Sequence, residues 1–146
     1  MIRRGEPADI AGIERLVENF WPSTGSGFEY KKGSALPFLE LSLSHDLLVV
    51  AEVDGKLVGA AGGLLSPLMG NDEIIVGAEL AWWVEPEYRK SSIGIELLRW
   101  LEQAAKDKGC ATFSVTFMET SMPEVVRKIY INEGYSLAET TYTKRL

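Results

Sequence analysis

The stretch from Glu79 to Leu98, ELAWWVEPEYRKSSIGIELL, constrains the fold of this chain more than any other. An apolar strand runs into a turn at Glu85-Pro86. A polar loop follows, with Arg89, Lys90, Ser91 and Ser92, and opens a helix through Gly94. A helix start carries backbone N–H groups with no intrahelical acceptor and the positive end of the helix dipole. Basic residues beside it make an anion site suited to a phosphate or pyrophosphate. The plainer alternative is that Ser91 and Ser92 cap a surface helix while Arg89 and Lys90 are solvated.

The rest of the chain supplies the context. At 146 residues it is expected to form one domain with its own core. No apolar run approaches the ~20 residues that span a bilayer. Met1-Ile2-Arg3-Arg4 leads straight into helix-like sequence without a signal-peptide pattern. The single cysteine, Cys110, cannot form an internal disulfide, so a cytoplasmic setting is expected. A net charge of −6 argues against a broad nucleic-acid face. It says little about the substrate.

Residues 2–5 read as a first strand. Pro7 starts a helix with Ile10, Ile13, Leu16, Val17 and Phe20 on one face, ending near Trp21-Pro22. Residues 22–34 are rich in glycine and serine and form a loop that also carries Phe28 and Tyr30. Residues 35–44 are expected to make a short helix. Strand 46–53 meets strand 56–65 at Asp54-Gly55, a strong hairpin signal. A loop from Ser66 to Asp72 leads to a long strand, 73–84. The following helix runs from about 92 to 108 and stops at Gly109. Strand 111–117 alternates Phe113, Val115 and Phe117 with polar residues. Pro123 begins a last helix, which Gly134 ends. Tyr135 to Leu146 reads as strand-like, with a bend or hairpin.

The order is β-α-α-β-β-β-α-β-α-β(-β). It implies a mixed α/β (α+β-like) fold, with a central twisted, mostly antiparallel sheet of 6–7 strands. One parallel pair, 73–84 with 111–117, is joined by a helical crossover, and about four helices cover the faces.

Neither a P-loop nor a dinucleotide fingerprint is present. What stands at Val84 to Gly94 is V-x-P-x-Y-R-x-x-S-x-G, which resembles the acyl-CoA loop of the GNAT N-acetyltransferase superfamily, [RQ]-x-x-G-x-[GA] after V-x-P-x-[YF]. Arg89 falls on its first position and Gly94 on its last. Ser92 stands where the family usually has glycine. If the backbone there needs a positive φ, serine is strained by ~1–2 kcal/mol. If φ is negative, serine is harmless and can cap the helix. The resemblance covers the whole chain, and implies that residues 1–146 are a single GNAT acyltransferase domain.

It also implies an acyl-CoA-dependent N-acyltransferase (transferase class), with acetyl-CoA as cosubstrate, no metal, and a small-molecule or protein amine as acceptor. No membrane or nucleic-acid partner is implied, and a homodimer is left open. The implied coenzyme A contacts are Arg89, Lys90, Ser91, Ser92, Ile93, Gly94 and Ile95, with the backbone of Trp82, Trp83 and Val84 along pantetheine. Trp82 and Trp83 should point to opposite sheet faces.

Tyr130, in Y-x-x-x-G-[FY] ending at Gly134-Tyr135, resembles the family's general acid at the coenzyme A sulfur. A phenol is protonated at neutral pH and suited to donate. Without the motif, Tyr130 reads as a packed helix residue. Glu79 is the candidate base, with a surface or substrate-orienting carboxylate as the alternative. Glu85 and Glu87, flanking Pro86, read as solvated, and His45 reads as a surface residue. Pro123 stands where many relatives carry an asparagine that contacts coenzyme A, so that contact is not carried over. Trp21, Phe28, Glu29 and Tyr30, with loops 22–34 and 66–72, are the expected walls of the acceptor site. Two rivals are weighed: a coenzyme A-binding module without catalysis, and a toxin that acetylates charged tRNA.

Overall fold

The computed structural model describes residues 1–146. Five strands form one sheet in sequential order: β1 (Ile2–Arg4), β2 (Leu48–Val53), β3 (Lys56–Leu68), β4 (Asn71–Val84) and β5 (Thr112–Ser114). The first four pair antiparallel. β4 and β5 are parallel over Val76–Ala78 and Thr112–Ser114. Helices α1 (Ile10–Phe20) and α2 (Leu36–Ser44) lie between β1 and β2 in sequence, and α3 (Ile93–Asp107) joins β4 to β5. α4 (Pro123–Asn132) follows β5. No helix is long and apolar enough to cross a membrane.

Local chemistry explains these elements. A short 3-10 turn at Pro7–Asp9 leads into α1, and Asp9 accepts the Glu6 N–H at 2.8 Å. Arg3 holds the same carboxylate through two 2.8 Å hydrogen bonds, which fastens α1 to β1. α1 buries Ile13 and Leu16, α2 buries Leu39, and both pack on one sheet face with Leu48, Val50, Ala60 and Trp83. α3 buries Leu97, Leu101 and Ala105 on the other face, against Val49, Val58 and Val84. β2 is covered on both sides, which is why Leu48 to Ala51 read as one continuous apolar run. Asp54 and Gly55 both have positive φ, at 50° and 75°, as a two-residue type I′ hairpin requires.

Three expectations need correction. The sheet has five strands, not six or seven, because residues 135–146 form no strand; β5, expected over 111–117, is only three residues long. Aromatic and β-branched residues favour strands only where a neighbouring edge is paired and a face is buried. Here most of the C-terminal segment lies exposed, Tyr142 at 93% and Leu146 fully. The expected loop 66–72 is instead hairpin: β3 runs on to Leu68 and β4 begins at Asn71, with Pro67 beside a register irregularity. A proline is tolerated where the ladder is locally broken. Glu85, expected to be solvated, is 5% exposed and is described below.

Candidate active site

The β4–β5 ladder ends at Ala78 and Ser114. From Glu79 to Val84, β4 continues beside β3 alone, so its outer backbone edge has no strand next to it. Glu79 spans the resulting gap: its carboxylate accepts the Thr116 N–H at 3.2 Å. Tyr130, on α4 and 7% exposed, donates its hydroxyl to the Thr116 carbonyl at 2.8 Å. A carboxylate and a phenol therefore meet at one residue. α4 is held in place by Arg99, which donates to both oxygens of Glu133 at 2.7 and 2.9 Å.

Burial pushes the Glu79 carboxyl up to about 7, only partly offset by the Thr116 N–H. Burial, then the Glu79 charge, also pushes the Tyr130 phenol upward, so it stays protonated across the physiological range. The Tyr130 ring sits among Trp82, Phe117 and Tyr135, with centroids 6.0, 6.5 and 5.8 Å away.

The helix start lies at the end of this open edge. The backbone amides of Lys90, Ser92, Gly94 and Ile95 make no hydrogen bond within the protein, and Ile93 N–H reaches only the Ser91 hydroxyl at 3.3 Å. A cluster of free amides at the start of a 15-residue helix suits a pyrophosphate. Ser92 has φ −75° and ψ −7°, so serine carries no strain there. It does not cap the helix: its hydroxyl donates to Glu96, while Ser91 takes the capping place. Gly94 also serves a contact within the protein. A Cβ there would lie 3.2 Å from the Trp82 ring, so glycine lets the indole pack under the helix start. The Trp82 indole N–H is shut from solvent and has no partner.

Arg89 turns back from the amides. Its Nε donates to the Val84 carbonyl at 2.9 Å, and its guanidinium stacks 4.2 Å from the centre of the Trp83 ring. Lys90 is exposed. Trp83 faces α1, as Trp82 faces α3, in keeping with opposite sheet faces. Its indole N–H points to Glu85 at 3.3 Å. Arg15 and Asn19 of α1 donate to the other Glu85 oxygen at 2.9 and 2.7 Å. The "solvated" turn carboxylate thus ties α1 to the end of β4.

On the α1–α2 face lies a cavity of about 450 Å³. Of the four residues expected around the acceptor, Trp21, Glu29 and Tyr30 line this cavity and Phe28 does not. Phe28 is 59% exposed, with the Arg145 guanidinium 4.7 Å from its ring centre. Residues 66–72 are also absent from the wall. Trp83 also lines it, and sequence reasoning missed Phe38, Ser42 and Leu80 there. Leu80 is the extra residue of a β-bulge, since Gly62 faces Ala81 while Gly63 faces Glu79. No sequence pattern marks that bulge. Phe38 could have been noticed as an aromatic lying off the apolar stripe of α2.

The only histidine and the only cysteine both stand outside the site. The His45 ring accepts the Leu65 N–H at 3.0 Å, and burial pushes the Cys110 thiol upward. No cluster of His, Cys, Asp or Glu is arranged to hold a metal ion.

Residues 13–125 match the family model described as "Acetyltransferase (GNAT) family". The chain belongs to that family. This GNAT chain is accordingly an acyl-CoA-dependent N-acetyltransferase, with acetyl-CoA as its cosubstrate. It is 27% identical over 111 residues to an aminoglycoside N(6')-acetyltransferase type 1 of Stenotrophomonas maltophilia, covering 75% of this chain and 69% of that protein. Its fold is shared with the aminoglycoside N-acetyltransferase AAC(6')-Iy, solved with a CoA-linked bisubstrate analogue (TM-score 0.77, 19% identity, covering 100% and 97% of the two chains). It is shared equally with a ribosomal-protein-alanine N-acetyltransferase from Brucella melitensis biovar Abortus 2308 (TM-score 0.77, 18% identity, covering 100% and 98%).

Proposed function

We propose that residues 1–146 act as one acyltransferase domain that acetylates the amine of a small molecule, with Glu79 as base and Tyr130 as acid. The observation that carries this reading is the meeting of those two groups at Thr116, one on its N–H and the other on its carbonyl. Both stand beside the open β4 edge, next to the free amides of the α3 start.

The amides of Lys90, Ser92, Gly94 and Ile95 would bind the pyrophosphate, and the edge at Trp82 to Val84 would pair with pantetheine. Acetyl-CoA, when bound, supplies the activated acyl group. A free alkylammonium has a pKa of ~10.4, so the acceptor must lose a proton before its nitrogen can attack. Glu79, raised to about 7, is matched to take that proton directly or through water. As the carbon–nitrogen bond forms and the carbon–sulfur bond breaks, Tyr130 turns its O–H from Thr116 towards the leaving sulfur. Its O–H hydrogen-bonds the leaving thiolate and passes its proton to sulfur as the second amine proton leaves nitrogen and restores the phenol, so amide, thiol and neutral Tyr130 result; the raised pKa keeps the phenol protonated between turnovers. Arg89 anchors the loop to Trp83 and Val84, which positions the amides rather than adding a phosphate contact.

The test compares thiol release from acetyl-CoA by the wild-type chain, Glu79→Gln and Tyr130→Phe, alongside coenzyme A affinity by calorimetry. The reading expects both variants to lose turnover at unchanged affinity. Full turnover in either variant removes that residue from its role.

A further inference from the structure

The cavity on the α1–α2 face has a chemistry of its own. Its volume, about 450 Å³, lies inside the ~300–1,000 Å³ range of small-molecule sites. Glu29 and Lys31 are the only charged residues on its wall, and their charges cancel. Trp83 and Phe20 form one aromatic side, their rings 5.4 Å apart, and Trp21 and Tyr30 form another at 6.0 Å. The Tyr30 hydroxyl is closed off from solvent on the side of the Glu14 and Glu18 carboxylates.

The cavity is also placed for the reaction. Leu80 and Ala81 border it, and the preceding residue, Glu79, reaches through the strand edge to Thr116. The loop over its mouth is tied down. The Trp21 indole donates to the Phe28 carbonyl at 2.7 Å, the Thr120 hydroxyl to the Ser23 carbonyl at 2.7 Å, and the Gly33 N–H to Glu14.

We infer that the acceptor is a primary amine carried on a compact apolar or aromatic body, of the arylalkylamine type. The body fills the cavity and the amine emerges at the Leu80 bulge. This rests on the acyltransferase reading above and adds the class of substrate. A polycationic sugar fits poorly, because its ammonium groups would be stripped of water against an apolar wall with one carboxylate to pair. An extended peptide N-terminus would leave the aromatic rear of the cavity unfilled.

The experiment measures thiol release by the full chain with acetyl-CoA and four acceptors: 2-phenylethylamine, methylamine, neamine and an alanine-initiated peptide. Calorimetry with coenzyme A runs in parallel. 2-Phenylethylamine should exceed each of the others by about 100-fold or more in kcat/KM, since a whole apolar body is recognised rather than one methylene. Ala60→Phe, which fills the cavity floor, should raise the 2-phenylethylamine KM about tenfold with the acetyl-CoA KM unchanged. Phe38 is 59% exposed, so Phe38→Ala should fold normally and raise the same KM several-fold.

Preference for neamine or the peptide would overturn the substrate class and leave the acyltransferase reading standing. So would parity between 2-phenylethylamine and methylamine, or indifference of KM to both variants. Coenzyme A binding with no amine acetylated would overturn the class as well. Absence of coenzyme A binding would overturn both readings.

Discussion

Glu79→Gln separates the roles of this carboxylate in catalysis and in stability, because the two respond to pH in opposite senses. In the wild type the carboxyl is raised from 4.5 to about 7, chiefly by burial. As a base it works only when ionised, so log(kcat/KM) should lose one unit of slope through about pH 7, whatever slope the amine's own ionisation adds. The stability effect runs the other way. A raised carboxyl pKa means that the folded state resists ionisation. The protonated form carries no penalty below pH 4.5, and stability falls as pH rises from 4.5 to about 7. At about 1.4 kcal/mol per unit of pKa, the full loss above pH 7 is about 3 kcal/mol. Glutamine keeps an acceptor for the Thr116 N–H and removes the charge. The variant should therefore be about 2–3 kcal/mol more stable than wild type at pH 8.5 and nearly equal at pH 4.5, read by urea unfolding. Its activity should fall about 10²–10⁴-fold, the usual contribution of a positioned base, and its pH profile should lack the break at 7. A variant that kept the break, or that lost stability at pH 8.5, would refute the reasoning.

Tyr130→Phe should lower kcat about 10²-fold or more, with coenzyme A affinity unchanged, and cost about 1–2 kcal/mol because the Thr116 carbonyl loses its donor. Kinetics and calorimetry check this directly. Gly94→Val should displace the Trp82 ring, which a Cβ would meet at 3.2 Å, and weaken coenzyme A binding about tenfold. Undiminished affinity would sink the placement of the loop. Glu85→Ala leaves Arg15, Asn19 and the Trp83 N–H without their acceptor. It should cost about 2–3 kcal/mol by urea unfolding, less than a fully buried pair because the Arg15 side chain is 39% exposed.

Features set by neighbours in sequence were legible before any coordinates. Asp54-Gly55 announced its hairpin because few residue pairs accept two positive φ values in succession. The strand–loop–helix from Glu79 to Leu98 announced the cluster of free amides, since these follow from any helix start. What depends on distant partners was not legible. Glu85 reads as a turn carboxylate, and only the fold brings Arg15 and Asn19 to it. Residues 135–146 have strand composition, yet a strand exists only where another accepts its hydrogen bonds. Residues 66–72 carry loop punctuation, but the ladder between β3 and β4 overrides it. Arg89 matched an anion motif and folds back on Trp83, a choice made by a ring on the preceding strand.

The central claim is that Glu79 and Tyr130, joined through Thr116, move an acetyl group onto an amine. Mass spectrometry of N-acetyl-2-phenylethylamine tests it most directly, comparing the wild-type chain with Tyr130→Phe at saturating acetyl-CoA. The account predicts steady accumulation of product with wild type and a rate reduced about 10²-fold or more in the variant. Equal accumulation in the two proteins, at equal coenzyme A occupancy, would contradict it.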